Sequence, residues 1–241
     1  MRIDIVTIFP EMFSAFLDSG VLGRAVRGGI LQVAVHDLRD YSDAPHHSVD
    51  DEPYGGGGGM LMTAPPWIAA VRSISRGATP HRVLLTPQGH RLDSHKVVDL
   101  ARMPHLVFLC GRYEGIDERV GETVVDEEIS IGDYVLSGGE TAAMVVVDAV
   151  SRELPGVVGL PSSVERESFR NGLLDFPQYT RPSVVEGIAV PEVLLSGHHE
   201  EIEKWRRAQA LQRTREKRPD LIVGDEVQSE RASCTHAEEE K

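Results

Sequence analysis

The sequence predicts an α/β protein with a largely parallel sheet, because short apolar segments rich in β-branched residues alternate with helical patterns along the chain. The 241 residues are 41% hydrophobic, which is enough to bury a sizeable core. Glycine and polar residues follow directly after three of the predicted strands, at the positions where open α/β sheets bind ligands. We therefore expect a globular domain with a binding site at one edge of its sheet.

Five segments have the composition of strands. In chain order they are RIDIVTIF, LQVAVHDL, HRVLLTP, HLVFLCG and EEISIG. The first alternates apolar with polar residues and is closed by Pro10. A helix is predicted over residues 14–27, between the first two strands.

Two more helices are predicted from periodicity and end signals. LDSHKVVDLARM, between the third and fourth strands, has a helical pattern with Asp93 or Ser94 as the N-cap. ETAAMVVVDAVSREL follows a Gly-Gly pair and has the composition of a buried helix, which Pro155 and Gly156 end. Helices therefore alternate with strands through the first part of the chain.

The second part of the chain has a different character. Residues 160–172 show no clear period and are rich in polar and small residues, which is typical of a linker or mobile loop. Beyond them, HHEEIEKWRRAQALQRTREKRP predicts an amphipathic helix ended by Pro219, with Ile202, Trp205, Ala208 and Leu211 on one side. We expect a first domain over 1–159, a flexible linker over 160–172, a small helical domain over 173–223 and a disordered tail over 224–241.

The charge of the chain is unevenly distributed. A formal net charge of -13 argues against whole-surface attraction to nucleic acid. Residues 205–218 nevertheless carry six basic residues against Glu216 alone, so a basic face can exist on this acidic protein.

The sequence holds no apolar run of about 18 residues and its first segment is too short and acidic for a secretory signal, so we expect a cytoplasmic protein with no membrane partner. Cys110 and Cys234 are far apart and predict no disulfide framework.

Two conspicuous motifs leave alternatives open. The five glycines in DDEPYGGGGGM are like a phosphate-binding loop but lack its GKS or GKT ending and do not follow an apolar strand. A flexible turn, or a loop that a backbone, subunit or ligand approaches closely, fits this run better. Two histidine pairs, His46-His47 and His198-His199, lie near acidic residues, but their spacing is not HExxH and surface or capping roles are favoured over a metal site. No residue is assigned as a metal ligand.

Three glycine-containing loops after strands form the strongest functional signal. They are TPQG at 86–89, CGRYEGIDERV at 110–120 and IGDYVLSGGE at 131–140. Glycine inside or beside a strand costs about 0.5–1 kcal/mol relative to alanine, so such runs mark unusual backbone angles or an atom pressed against the main chain. The pattern alone does not choose between unusual backbone angles and a close approach to the main chain. Three structural turns would also account for the three glycine-containing loops.

The longest sequence blocks resemble a known family. They are MRIDIVTIFPEMF, HHSVDDEPYGGGGGM, CGRYEGIDERV, SIGDYVLSGGE, GLLDFPQYTRP and VPEVLLSGHHEEIEKWR, in this order. Together they are similar to the bacterial tRNA (guanine-N1)-methyltransferases, from Met1 to about Leu221. The resemblance implies a SPOUT-type α/β domain with a deep trefoil knot, a small helical C-terminal domain, an S-adenosylmethionine donor and an obligate homodimer.

The resemblance also implies which residues bind the donor. In this family the donor lies bent in the knotted loops, where glycine lets the main chain approach adenine and the methionine end. The matching positions here are Leu84, Leu85, Thr86, Gly111, Glu114, Ile131, Gly132, Asp133, Tyr134, Val135, Leu136, Gly138 and Gly139. Glu114 matches a carboxylate near the methionine end, and whether a magnesium ion assists there stays open. A loop carboxylate or a salt bridge is the plain alternative for Glu114.

The implied acceptor is N1 of guanosine 37 of tRNA, next to the anticodon and preceded by another guanosine. This nitrogen must lose its proton, and the position that matches the family's aspartate base is Glu167, a carboxylate one methylene longer. Glu165 is an alternative base, two residues away. Arg152 matches the arginine that stabilises charge on guanine O6, although a basic residue at a helix end is favourable in any protein.

The predicted C-terminal helix is expected to hold the anticodon stem through phosphates, with Arg206, Arg207, Arg213 and Arg215 as candidates. The resemblance places each site between the knotted domain of one subunit and the C-terminal domain of the other. Two other functions compete with this one. A non-catalytic RNA-binding module is supported only by the change to glutamate at 167, and a metal hydrolase only by the histidine pairs.

Overall fold

A computed structural model of the chain describes residues 1–159 and 167–222. The chain divides into two compact units, Met1–Pro161 and Ser162–Lys241. Most of the predicted linker, at 160–166, and the predicted tail at 224–241 lie outside the described residues. No helix in the described parts of the chain has both the length and the apolar character to cross a membrane.

The first unit contains a five-stranded parallel sheet, which confirms the fold class predicted from the alternating pattern. Its strands are β1 (Arg2–Thr7), β2 (Gln32–Asp37), β5 (His81–Arg91), β6 (His105–Cys110) and β7 (Glu127–Ser130). Their spatial order is β2-β1-β6-β5-β7, with β6 wholly buried. Two short strands, β3 (Asp50–Asp51) and β4 (Leu61–Met62), form a separate antiparallel ribbon.

Helices cover both faces of the sheet. They are α1 (Ser14–Asp18), α2 (Gly20–Arg27), α3 (Ala64–Ile74), α4 (Ser94–Ala101), α5 (Glu118–Val124) and α6 (Gly139–Arg152). One apolar core contains residues of α2, α4 and α6, and the other contains residues of α3 and α5. Because the inner strands β1, β5 and β6 contribute apolar residues to both cores, the carboxyl edge of the sheet is the part left for polar function.

The predicted helix ends are partly right. Asp93 caps α4, since its carboxylate accepts a hydrogen bond from the main-chain N–H of Lys96 at 2.8 Å. The single helix predicted over residues 14–27 is wrong, because the chain is extended at Ser19 and Gly20 has a φ of 59°. The break produces two short helices, Ser14–Asp18 and Gly20–Arg27.

The second unit has a hairpin of β8 (Val184–Val185) and β9 (Ile188–Ala189), followed by α7 (Glu192–Leu195) and α8 (His199–Lys217). The most buried residues of α8 are Ala210 and Thr214. The Thr214 hydroxyl donates to the Ala210 carbonyl at 2.7 Å and accepts from the N–H of Leu174 at 2.9 Å. The predicted apolar face is therefore displaced, and Ala208 is exposed.

Candidate active site at the carboxyl edge of the sheet

The loop TPQG is an insertion within β5. Leu85 and His90 both lie opposite Ile129 of β7, so the four residues between them leave the strand and return to it. A Cβ atom on Gly89 would clash with the main-chain N of Ile129. Only glycine allows the strand to resume at this point, and the sequence reasoning did not single out Gly89. Leu84, Leu85 and Thr86 stand at the base of this loop.

The loop after β6 contacts the five-glycine run. The N–H of Glu114 donates to the carbonyl of Met60 at 3.1 Å, and a Cβ atom on Gly59 would overlap the Glu114 side chain. The run therefore ends in a close approach between two loops, which is one of the alternatives that the sequence left open. It joins β3 to β4 and is not followed by a helix until Ala64, unlike a phosphate-binding loop.

The loop after β7 is held by its own atoms. The hydroxyl of Ser130 donates to the carbonyl of Gly132 at 3.0 Å, and the Tyr134 hydroxyl donates to the carbonyl of Ile131 at 3.2 Å. Gly132 has a φ of 152°, and a Cβ atom there would clash with the Tyr134 ring. Residues 133–137 are exposed, with Tyr134 at 55% and Val135 at 82%.

The Gly138-Gly139 pair packs against the end of β6. The N–H of Gly139 donates to the Gly111 carbonyl at 2.9 Å, and Arg112 forms an antiparallel bridge with Gly138. A Cβ atom on Gly139 would lie 2.7 Å from Cα of Cys110, and one on Gly138 would clash with the Arg112 side chain. The protein's own main chain and side chains therefore already account for both glycines.

A fully buried carboxylate lies behind these loops. Glu140 accepts a hydrogen bond from the Thr7 hydroxyl at 2.7 Å and one from Nε of Arg112 at 2.9 Å. Burial raises the pKa of the neighbouring Cys110 thiol well above its usual value, and the Glu140 carboxylate raises it further. Sequence reasoning missed Glu140, although a charged residue in the first turn of an apolar helix was a visible signal.

The two predicted catalytic residues belong to different units. Arg152 is the last residue of α6 in the first unit, and Glu167 lies in the second. Glu167 stands on the wall of a cavity of about 710 Å³ in the second unit, together with Asp175, Tyr179 and Arg206. The alternative base, Glu165, lies outside the described residues.

The basic residues of α8 divide into two groups. The guanidinium of Arg206 lies 4.9 Å from the centre of the Phe176 ring, and its Nη1 donates to Glu203 at 2.7 Å. Arg206 therefore packs within the second unit, and Arg213 is half-buried. Arg207 and Arg215 are exposed, so they present charge to solvent where an RNA backbone can meet it.

The two histidine pairs lie in different compact units of the chain. His46 and His47 both have left-handed backbone angles in the first unit, whereas His198 and His199 start α8 in the second. Within the described residues, no group of three or more His, Cys, Asp or Glu side chains is arranged to hold a metal ion. The part of the chain that the structure describes therefore offers the metal-hydrolase alternative no cluster of ligands.

Comparison with known proteins decides the family. A family model described as tRNA (Guanine-1)-methyltransferase TrmD matches residues 1–224. The chain belongs to this family. A tRNA (guanine-N(1)-)-methyltransferase from Pelotomaculum thermopropionicum is 54% identical over 225 residues, which cover 92% of this chain and 90% of the relative. One from Haemophilus influenzae (strain ATCC 51907 / DSM 11121 / KW20 / Rd) is 52% identical over 226 residues, covering 93% and 92%. The resemblance predicted from the sequence blocks is confirmed.

Proposed function

We propose that this protein is an S-adenosylmethionine-dependent methyltransferase acting on N1 of guanosine 37 of tRNA, where another guanosine precedes the target. The observation that carries the proposal is the family match over residues 1–224. Relatives that are half identical over nine-tenths of the chain act on guanine N1 of tRNA by name. The proposal goes beyond the family match in three respects, which are the methyl donor, the position of the target in the tRNA and the roles of individual residues.

The proposed donor site is the carboxyl edge of the sheet. A nucleoside requires apolar surface for its ring and main-chain polar groups along its edge. The loop after β7 offers both. Its exposed Tyr134 and Val135 side chains provide apolar surface, and two hydrogen bonds between Ser130 and Gly132 fix the main chain. The residues proposed to line the site are 84–86, 111, 114, 131–136, 138 and 139. The donor, when bound, supplies an electrophilic methyl group on its sulfonium sulfur.

Glu167 is the proposed general base. A carboxylate held beside the target base can act as general base and accept the N1 proton of guanine. Such a role contributes about 10² to 10⁴ in rate. Loss of this proton moves negative charge onto guanine O6, and the guanidinium of Arg152 is the proposed cation that stabilises it.

Glu114 is proposed to face the methionine end of the donor. Its contact with the five-glycine run fixes the loop on which it stands. Magnesium is commonly held in proteins by one or two carboxylates together with water and substrate oxygens. Since the described residues provide no cluster of three ligands, an ion at Glu114 would take its remaining ligands from water and substrate.

Several further features are proposed from family membership. They are the deep trefoil knot, the helical C-terminal RNA-binding domain, the homodimer with composite active sites, and the cytoplasmic location. Arg207 and Arg215 are the residues of α8 that we propose to contact phosphates, because both are exposed. Arg206 is proposed to support the cavity of the second unit, through its contact with Phe176.

The test is transfer of labelled methyl from S-adenosylmethionine to a tRNA transcript with guanosines at 36 and 37. We expect N1-methylguanosine at 37, and a matched transcript with adenosine at 37 should take up no label. Glu167→Gln should lower turnover by about 10² to 10⁴ while donor affinity stays unchanged, and Glu167→Asp should retain most activity. No transfer by the wild-type protein would favour the non-catalytic RNA-binding module instead.

A further inference from the structure

Glu140 carries a buried negative charge that the proposed chemistry does not use. Its side chain is 0% exposed, and it stands in the first turn of α6, directly after the Gly138-Gly139 pair. Burying an ionised carboxylate is costly unless it is paired and hydrogen-bonded. Each of its two oxygens has one such partner, so the sequence retains this charge in a specific arrangement.

The partners of Glu140 lie at the tips of two neighbouring strands. Thr7 is the last residue of β1, and its hydroxyl also accepts the main-chain N–H of Phe9 at 2.9 Å. Arg112 is the second residue after β6, and its guanidinium lies 4.6 Å from the centre of the Phe9 ring. Glu140 therefore links α6 to β1 and to the loop after β6.

Arg112 bonds to residues on both sides of the Gly138-Gly139 pair. Its Nε donates to Glu140 at 2.9 Å, while its Nη1 donates to the carbonyl of Ser137 at 3.2 Å. One guanidinium thus contacts the chain on both sides of Gly138 and Gly139. A Cβ atom at 138 would overlap the Arg112 side chain, so this placement of the arginine requires glycine at 138.

We infer that Glu140 is a positioning residue of the donor site, because its buried carboxylate orients Arg112 and thereby fixes the main chain of residues 137–139 against Gly111. The inference rests on the proposed function, in which these loops bind S-adenosylmethionine. Glu140 itself is buried behind the loops, so it acts through Arg112. Outer partners that orient the groups contacting a ligand control affinity through geometry.

The experiment measures S-adenosylmethionine affinity by calorimetry on the full-length protein. Glu140→Ala should weaken donor affinity by about ten-fold or more, because Arg112 loses its charged partner. KM for the donor should rise by the same factor, with KM for tRNA unchanged. Glu140→Gln keeps the shape and two hydrogen-bonding atoms, so it should recover part of the affinity. Arg112→Lys should also weaken donor binding, and combining it with Glu140→Ala should add little.

Asp4→Asn is the matched control. Asp4, in β1, is also a fully buried carboxylate of the first unit, but its partners are Arg2, His36 and His105. This variant should lower the melting temperature and leave donor affinity unchanged. Wild-type donor affinity in Glu140→Ala would overturn the inference, as would equal losses of donor affinity in the Glu140 and Asp4 variants.

Two further outcomes separate the inference from the function on which it rests. If Glu140→Ala does not fold, the donor affinities of Glu140→Gln and Arg112→Lys test the inference instead. Wild-type donor affinity in both variants would overturn the positioning role of Glu140. If the wild-type protein binds no S-adenosylmethionine, the proposed donor site fails before any substitution is made. Donor binding by the wild type with undiminished binding by the variants would reject only the role of Glu140.

Discussion

Replacement of Gly139 by alanine tests whether the strand-end glycines are required by the fold itself. The added Cβ atom would lie 2.7 Å from Cα of Cys110 and 3.1 Å from the main-chain N of Gly111. Carbon atoms in good contact are about 3.5–4.0 Å apart, so the methyl group overlaps main-chain atoms by close to 1 Å. Cys110 belongs to a buried strand, and neither it nor α6 can move away without disturbing the core.

The structure gives the size of the effect. Overpacking of a buried site costs about 1–3 kcal/mol. The displacement also lengthens the bond from the Gly139 N–H to the Gly111 carbonyl, and such a bond contributes about 1 kcal/mol. We therefore expect Gly139→Ala to lower the free energy of unfolding by about 3 kcal/mol. For a chain of this size the melting temperature should fall by roughly 6–12 °C.

The assay is thermal unfolding followed by calorimetry and circular dichroism, at matched protein concentration because association changes apparent stability. Gly159→Ala is the control, since a Cβ atom at Gly159 meets no atom of the described residues within 4 Å. Its free energy of unfolding should stay within about 0.5 kcal/mol of the wild type. Equal melting temperatures for the two variants would refute the claim that the fold excludes a side chain at 139.

Three further predictions concern stability and reactivity. Burial alone would raise the pKa of the Asp4 carboxyl, but hydrogen bonds from His36, Arg2 and His105 hold this pKa well below its usual range. Ionised Asp4 therefore stabilises the fold above about pH 4, and this stabilisation is lost as the solution becomes more acid. In urea unfolding, Asp4→Asn should lower the free energy of unfolding by about 3 kcal/mol at pH 7 and by less at pH 3. Thr214→Val should cost about 1–3 kcal/mol because the N–H of Leu174 loses its acceptor, whereas Thr214→Ser should stay close to the wild type in the same assay. In a Cys234→Ser background, the Cys110 thiol should react with a thiol reagent only after denaturation, because it is buried and its pKa is raised; rapid reaction of the native protein would contradict this.

The sequence predicts the sheet better than it predicts the loops. Strands such as β6 are recognisable because a fully buried parallel strand is a continuous apolar run. The interruption between α1 and α2 was missed, since a helical pattern continues across Ser19 and Gly20 and only the backbone angles reveal the break. The return of β5 through Gly89 was also missed, because it depends on the register with β7.

The candidate site shows the same limit. The glycine-rich strand ends were predictable, but the reason for Gly89 and Gly139 was not, since the atoms that exclude a Cβ at these two positions belong to residues distant in sequence. The contact between Thr7 and Glu140 spans 133 positions of the chain. Arg206 was expected on an RNA-binding face, and its packing on Phe176 depends on the tertiary structure of the second unit.

These contacts bear on how the proposed donor site works. The main chain at Gly138 and Gly139 is fixed by Gly111, Arg112 and Glu140 without any contribution from a ligand. A loop that is already ordered loses little conformational entropy on binding, so more of the contact energy appears as affinity. The buried carboxylate also lies at the N-terminus of α6, where the helix dipole stabilises negative charge. Donor binding to this edge should therefore require little rearrangement of residues 137–139, and the amide hydrogen of Gly139, which is bonded to the Gly111 carbonyl, should exchange slowly before the donor is added.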